Sequence, residues 1–262
     1  MTKTWLELLY KVIKRDICTS CGTCIAACPP DFIEMVRGKP KRAIKRAACE
    51  NCEICYVVCP QTGFDTRDIE SEFFGMKRRK DKDEHIGIYR RILTAKTKDK
   101  RIKGQDGGIV TSILTHALEE HIVDGAILTG SDSAWMPKPV VARSYEEVVG
   151  PSGTKYSISP TLVGVRDALR KGLENICIVG TCCHVRAARL MQFLNLEPLA
   201  RSIKLVIGLF CYENFDYQGL MRGKIEDELG FRPEEISKFE VEGNEFLIHL
   251  KGKIFGNVLT CS

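Results

Sequence analysis

No run of apolar residues in this chain approaches the roughly 20 that a membrane-spanning helix needs. The longest, such as Leu205–Phe210, stop after a few residues. The first residues, Met1-Thr2-Lys3-Thr4-Trp5, lead into Leu6, Leu8, Leu9, Val12 and Ile13 with charges mixed in. They lack the unbroken apolar core and the small-residue cleavage site of a secretory signal. The expectation is a cytoplasmic protein with no direct membrane span, held at most peripherally to a membrane complex through a partner. Neither the G-x-G-x-x-G dinucleotide pattern nor the P-loop occurs. Nucleic acid is also disfavoured: the one strongly basic stretch lacks interleaved aromatics, and no DNA-binding motif accompanies it.

That stretch, Lys77–Lys103, holds twelve Lys/Arg against four Asp/Glu, whereas the whole chain has a net charge of +5. The remainder is therefore slightly acidic. The stretch reads either as a solvated connection or as a basic surface for an anionic ligand or partner. With 44% apolar and 28% charged residues in a chain of 262, the composition is that of a folded globular protein.

What the sequence has in abundance is cysteine, 13 in all. Disulfides suit small secreted domains, and this chain is too long and lacks a signal. Eight of the cysteines fall into two copies of Cys-x2-Cys-x2-Cys-x3-Cys-Pro, at Cys18, Cys21, Cys24, Cys28 and at Cys49, Cys52, Cys55, Cys59. Three thiolates spaced by two residues wrap one cubane on a tight loop, and the fourth points to the other cluster. The expected ligand sets are Cys18, Cys21, Cys24 with Cys59, and Cys49, Cys52, Cys55 with Cys28. Soft thiolates also suit zinc, but zinc has no need of a doubled octad. Two [4Fe–4S] clusters are the better reading. Gly22 would let the first loop pass close to its cluster. Such a small core depends on metal for stability.

The chain divides into a Cys-rich segment (1–66), a charged linker (67–85) and a mixed α/β domain (86–262). In the last part, helical spacing follows Gly107-Gly108 from Ile109 to Leu118. Strands are expected at Gly125–Thr129, Val140–Ala142, Ile176–Val179 and Ile203–Phe210, and helices at Thr161–Lys171, Val185–Leu194 and Tyr217–Leu229. Glu242-Gly243-Asn244 reads as a hairpin turn. Strands alternating with helices argue for a sheet with helices packed on it.

Three glycine-containing segments sit where ligands bind: Gln105-Asp106-Gly107-Gly108-Ile109-Val110-Thr111 at a helix start, Gly153-Thr154-Lys155-Tyr156 in a loop, and Gly180-Thr181-Cys182-Cys183-His184 at a strand-to-helix turn. Asp106 is placed to cap its helix, and the free N–H groups of such turns suit phosphates. Each alone is a structural commonplace. In this order, and with Gly208–Phe215, they resemble the beta-subunit family of coenzyme F420-reducing hydrogenases and dehydrogenases over roughly residues 86–255. Longer members, such as F420H2 dehydrogenase input subunits and the N-terminal half of F420-dependent sulfite reductase, carry a ferredoxin segment in front.

The resemblance implies an α/β fold: a two-[4Fe–4S] ferredoxin-like segment before a flavin-binding domain, C-terminally short relative to the family. It implies FAD as cofactor, coenzyme F420 as hydride donor or acceptor, and no catalytic nucleophile or acid–base pair. Gln105, Asp106, Gly107, Gly108 and Thr111 would lie around FAD. Gly153, Thr154, Lys155 and Tyr156 would form a second wall, with Lys155 on a phosphate or flavin carbonyl. Gly180 and Thr181 would give backbone contacts. The chain would be part of a larger complex and pass electrons to a redox partner subunit. Cys183 occupies a family cysteine, and Cys183, Cys211 and Cys261 are candidates for a third cluster. Two rivals stay open. One is an electron-transfer subunit of a hydrogenase, formate dehydrogenase or heterodisulfide reductase with no substrate of its own. The other is a ferredoxin-dependent reductase of chlorophyllide type.

Overall fold

The centre of the molecule is a four-stranded sheet whose two middle strands are apolar and buried over their first four residues. The structure, a computed structural model, describes residues 4–29, 32–43, 52–79, 86–102, 104–243 and 245–256. Two helix-containing segments precede the sheet: α1 (Trp5–Leu8), which widens into a π-helical turn through Ile13, and α2 (Thr23–Ala26). A hairpin of β1 (Ile33–Val36) and β2 (Lys39–Arg42) follows, then α3 (Ile54–Val57), α4 (Thr66–Phe74) and α5 (Ile109–Glu119).

The sheet begins with the antiparallel pair β3 (Gly125–Ser131) and β4 (Pro137–Ala142). After α6 (Tyr145–Val149) and α7 (Val163–Arg170) comes β5 (Ile176–Thr181), parallel to β3. Helices α8 (Cys182–Phe193) and α9 (Leu199–Ser202) lead to β6 (Ile203–Leu209), parallel to β5. The strand order is β4-β3-β5-β6. Strands covered on both faces read as continuous apolar runs. That is why Gly125–Thr129 and Ile176–Val179 were legible, while β4, on an edge, showed only its Val140–Ala142 end.

Helix α5 covers one face, where Leu114 and Ala117 meet Ala126, Leu128, Cys177 and Val179. The other face holds Ile127, Ile176 and Ile178 under Val165, Ala168, Ala187, Ala188 and Met191. Cys21, Ala26, Ala27 and Val58 of the Cys-rich segment belong to this same core. The segment is therefore seated on the α/β layer. Each fully buried aliphatic side chain there contributes roughly 1.5–3 kcal/mol relative to exposure.

The expected 67–85 linker is helical as far as Phe74. Asp65 caps α4 by accepting from Arg67 N–H at 2.9 Å, and Gly75 ends it. The helix lies against α8, where the Arg189 guanidinium sits 4.7 Å from the Phe73 ring centroid and Phe64 meets Phe193 edge-on at 5.3 Å. Charge hid this helix, because it has no buried residue to set a period.

Beyond β6, a π-helical segment (Gln218–Glu228) packs Leu220, Met221 and Ile225 on a meander of β7 (Ile236–Glu242), β8 (Glu245–Leu250) and β9 (Lys253–Phe255). The turn joining β7 to β8 falls at Gly243, as expected; Asn244 lies outside the described residues.

Candidate functional site

The first three cysteines of the first repeat and the last cysteine of the second line one cavity. Cys18, Cys21, Cys24 and Cys59 line it together with Leu8, Val12, Met35 and Pro40. This is the crossed set expected from the spacing. Of the other set, Cys28 and Cys55 are buried beside Cys24 and Cys59 in an apolar cluster with Trp5, Ile25 and Phe32, and Cys52 is half-buried. Cys49 lies outside the described residues.

The electrostatics fit a group that takes thiolates. Burial pushes the Cys21 and Cys24 thiols well above their ordinary range, and neighbouring cysteines push them further. Cys59 rises to about 11 through burial and the nearby Cys18, opposed by a Gln61 backbone hydrogen bond and by Arg186. Without metal, such thiols stay protonated in apolar walls. An iron–sulfur cluster supplies the positive iron that stabilises thiolates, so the donor set suits it.

Gly22 is left-handed at φ +89° and starts α2. A Cβ there would meet Pro160 O at 2.8 Å and Val163 at 2.9 Å. Leu162 N–H donates to Cys21 O at 3.0 Å. The close approach at Gly22 is thus to the start of α7, which adds a packing reason to the expected loop-wrapping one.

The turn after β5 also touches the first repeat. His184 Nε2 lies 3.0 Å from Ser159 O, and Thr181 N–H points at His184 Nδ1 at 3.1 Å. The backbone donor at Nδ1 assigns the ring proton to Nε2. Burial raises the Cys183 thiol, and hydrogen bonding to the hydroxyls of Thr181 and Thr19 acts against that rise. Thr19 stands between two expected ligands. Cys211 is raised by burial and by Cys182 and Cys183, so these three cysteines are neighbours. Among the described residues no three His, Cys, Asp or Glu side chains are already gathered around one metal point. Cys261 lies outside the described residues.

A second cleft opens beyond the end of β3, with a volume of about 290 Å³. Gln105, Gly153, Thr154 and Lys155 line it, joined by Gly130, Ser131, Trp135, Lys238 and Phe239. Gln105 ties three walls together: its Oε1 accepts from Thr154 N–H at 3.0 Å, and its Nε2 donates to Phe239 O at 3.2 Å. The Lys155 ammonium donates to the carbonyls of Pro151, Ser152 (3.2 Å) and Gly153 (2.9 Å). Burial lowers its pKa to about 8. In this state Lys155 braces its own loop.

Trp135 was not legible as a site residue. It sits in the five-residue loop joining β3 to β4, at φ +64°, a region where a bulky side chain costs roughly 1–2 kcal/mol. The loop is held by Asp132 Oδ1, which accepts from Ala134 and Met136 N–H at 2.9 Å each, and by Tyr217 Oη donating to Ala134 O at 2.8 Å. Indole Nε1 donates to Pro233 O at 3.2 Å, and the ring meets Phe239 edge-on at 4.7 Å.

The other expected residues lie elsewhere. Asp106 is exposed and does not cap α5; Gly108, at φ +70°, takes that position without a side-chain bond. Gly107 and Gly108 pack against residues 95–97, with Thr97 N–H donating to Gly107 O at 2.8 Å. A Cβ at Gly108 would meet Thr97 at 2.9 Å, so close packing accounts for the glycine there. The Thr111 carbonyl accepts from the Thr115 hydroxyl within α5. Tyr156 turns to Phe246 at 5.1 Å, into the meander's core. Gly180 packs on His184, and with Thr181 it belongs to the turn beside the first repeat.

Parallel strands β3 and β5 deliver both features at their carboxyl ends, where open α/β sheets hold ligands. This arrangement defines an iron–sulfur protein of mixed α/β fold built to handle electrons. The chain belongs to the coenzyme F420 hydrogenase/dehydrogenase beta-subunit family: the N-terminal family model matches residues 92–165 and the C-terminal one residues 173–258. A 4Fe-4S dicluster domain model matches residues 17–64.

Among relatives, the beta subunit of coenzyme F420 hydrogenase from Methanosarcina barkeri is 36% identical over 68% of this chain and 62% of its own length. One of the subunits of the F(420)H(2) dehydrogenase from Methanosarcina mazei is 30% identical over 93% of this chain and 67% of its own. A solved structure of the F420-reducing [NiFe] hydrogenase complex from Methanosarcina barkeri contains a chain with a TM-score of 0.58 and 34% identity, covering 62% of this chain and 58% of that one. The chain thus spans about 60% of the length of the hydrogenase subunits it matches. Among the described residues no helix is long and apolar enough to cross a membrane.

Proposed function

We propose that this chain exchanges hydride between coenzyme F420 and a bound FAD and relays single electrons through two [4Fe–4S] clusters. The observation that carries this reading is that the cleft opens at the carboxyl end of β3, while the turn at the carboxyl end of the adjacent parallel β5 brings Cys183 beside Cys21 of the first repeat. FAD, when bound, supplies the conversion between two-electron hydride chemistry and the one-electron chemistry of clusters. At about 290 Å³ the cleft lies at the lower end of small-molecule sites, a size that suits one ring system and leaves the rest of a dinucleotide outside it. Gln105, Gly153, Thr154 and Lys155 would hold the cofactor and keep water from it. Cys18, Cys21, Cys24 and Cys59 would hold the nearer cluster, and Cys49, Cys52, Cys55 and Cys28 the farther one. No side chain need act as nucleophile.

The test is anaerobic. Purified chain, reconstituted with iron, sulfide and FAD, should bleach a one-electron dye when given reduced coenzyme F420. Inactivity with FAD and both clusters demonstrably bound rejects the reading. Iron content also separates eight atoms per chain from twelve, the number a third cluster on Cys183, Cys211 and Cys261 would need.

One observation favours a second reading, an electron-transfer subunit with no substrate of its own. Leu209, Phe210 and Tyr212 at the free end of edge strand β6 are exposed beside Cys211, and exposed aromatics mark docking surfaces. The optical spectrum decides between them: flavin peaks over the iron–sulfur absorbance support the first reading, and iron–sulfur absorbance alone the second.

A further inference from the structure

The β3–β4 loop places a tryptophan where the backbone favours glycine or asparagine. At φ +64° Trp135 holds a conformation that bulky residues avoid. Its loop is fixed by the Asp132 carboxylate, by Tyr217 from the π-helical segment and by the indole bond to Pro233 O. The indole is thus fastened from one side and braced against Phe239 at 4.7 Å. It remains half-buried and lines the cleft together with Gln105 and the Gly153–Lys155 loop. A tryptophan needed only for the meander's core has no reason to sit in a turn that disfavours it, and backbone outliers of this kind cluster at ligand clamps.

We infer that Trp135 is a stacking wall for a tricyclic flavin-type ring, the chemistry shared by FAD and coenzyme F420. The electron-rich indole suits an electron-poor ring. The cleft's two lysines are already engaged, Lys155 by its loop carbonyls and Lys238 by Glu240 at 2.8 Å. Ring recognition therefore falls to the aromatic wall and the Gln105 latch. This inference rests on the proposed flavin reading and assigns Trp135 a positioning role, with no part in bond making.

The chain has two tryptophans, Trp5 and Trp135. In the full-length, cluster-reconstituted Trp5→Phe protein, Trp135 alone reports. Anaerobic titration with FAD, and separately with coenzyme F420, should quench its emission with one-to-one stoichiometry. FAD retention is measured independently by ultrafiltration. Trp135→Ala should bind about tenfold more weakly, Trp135→Phe should restore most of the affinity, and Trp135→Leu should not. Quenching by F420 alone keeps the stacking wall and assigns the ring to the substrate. FAD retained without quenching, or a Leu variant that binds as tightly as wild type, overturns the inference and leaves the flavin reading standing. Neither retention nor quenching with either compound removes both.

Discussion

The two cysteine repeats share one spacing but not one conformation. In the first, Gly22 follows Cys21 in the left-handed region, and its loop is pressed onto Pro160 and Val163. In the second, the matching position is Glu53, which sits at φ −100° without strain. The first repeat reaches Cys183 through Thr19, whereas the second faces α1 and the N-terminal π-helical turn, with the Lys11 ammonium 5.9 Å from the Tyr56 ring centroid. Equal ligand chemistry in unequal surroundings gives a wire its direction. In the proposed reading the cluster of the first repeat would be the one beside the Cys183 turn that leaves the α/β layer.

The largest test of this picture is ligand removal. Cys59→Ala should destroy the cluster of the first repeat and Cys28→Ala that of the second, each lowering iron content from about eight to about four atoms per chain, the count set by two cubanes. The surviving cluster is identified by its EPR signal. Loss confined to the mutated repeat would show that ligation is not crossed.

A backbone test comes next. Gly22→Ala forces a Cβ into Pro160 O and Val163 in a disfavoured conformation, so unfolding of the holoprotein in denaturant should lose about 2–4 kcal/mol. Glu53→Gly should cost no more than about 1 kcal/mol. Equal losses would mean that the two loops are seated alike.

The cysteine pattern was legible because it is local: eight thiols at fixed spacing mark the expected ligand sets before any folding is known. The central strands were legible because burial on both faces leaves only apolar residues, as in Ile176–Val179. The cleft was only half legible. Gln105 and Gly153–Lys155 carry glycine and motif signals, but Trp135, Ser131 and Phe239 join them from elements up to about 130 positions apart, with no local mark. Asp106 misled because a capping residue is judged by neighbours in sequence, whereas residues 95–97 pack against Gly107 and Gly108, and the left-handed Gly108 takes the cap position. The difference between Gly22 and Glu53 was invisible for the same reason, since Pro160 and Val163 are remote in sequence.

The smallest expected effect concerns Cys183. It is not part of either repeat, yet its thiol bonds Thr19, between Cys18 and Cys21. Hydrogen bonds near cluster sulfurs tune reduction potential while leaving the cluster in place. Cys183→Ala should therefore keep eight irons and shift the midpoint potential of the first repeat's cluster by tens of millivolts, on the order of one lost hydrogen bond. The second repeat's cluster should move less, because the thiol of Cys183 neighbours Thr19 and Cys21 of the first repeat. A redox titration followed by EPR, in the wild type and in the variant, reads both potentials at once. Equal shifts would show that the repeats are coupled too tightly to be told apart by position. A loss of four irons from an initial twelve would instead make Cys183 a ligand, and the inner side of the wire would then begin at a third cluster.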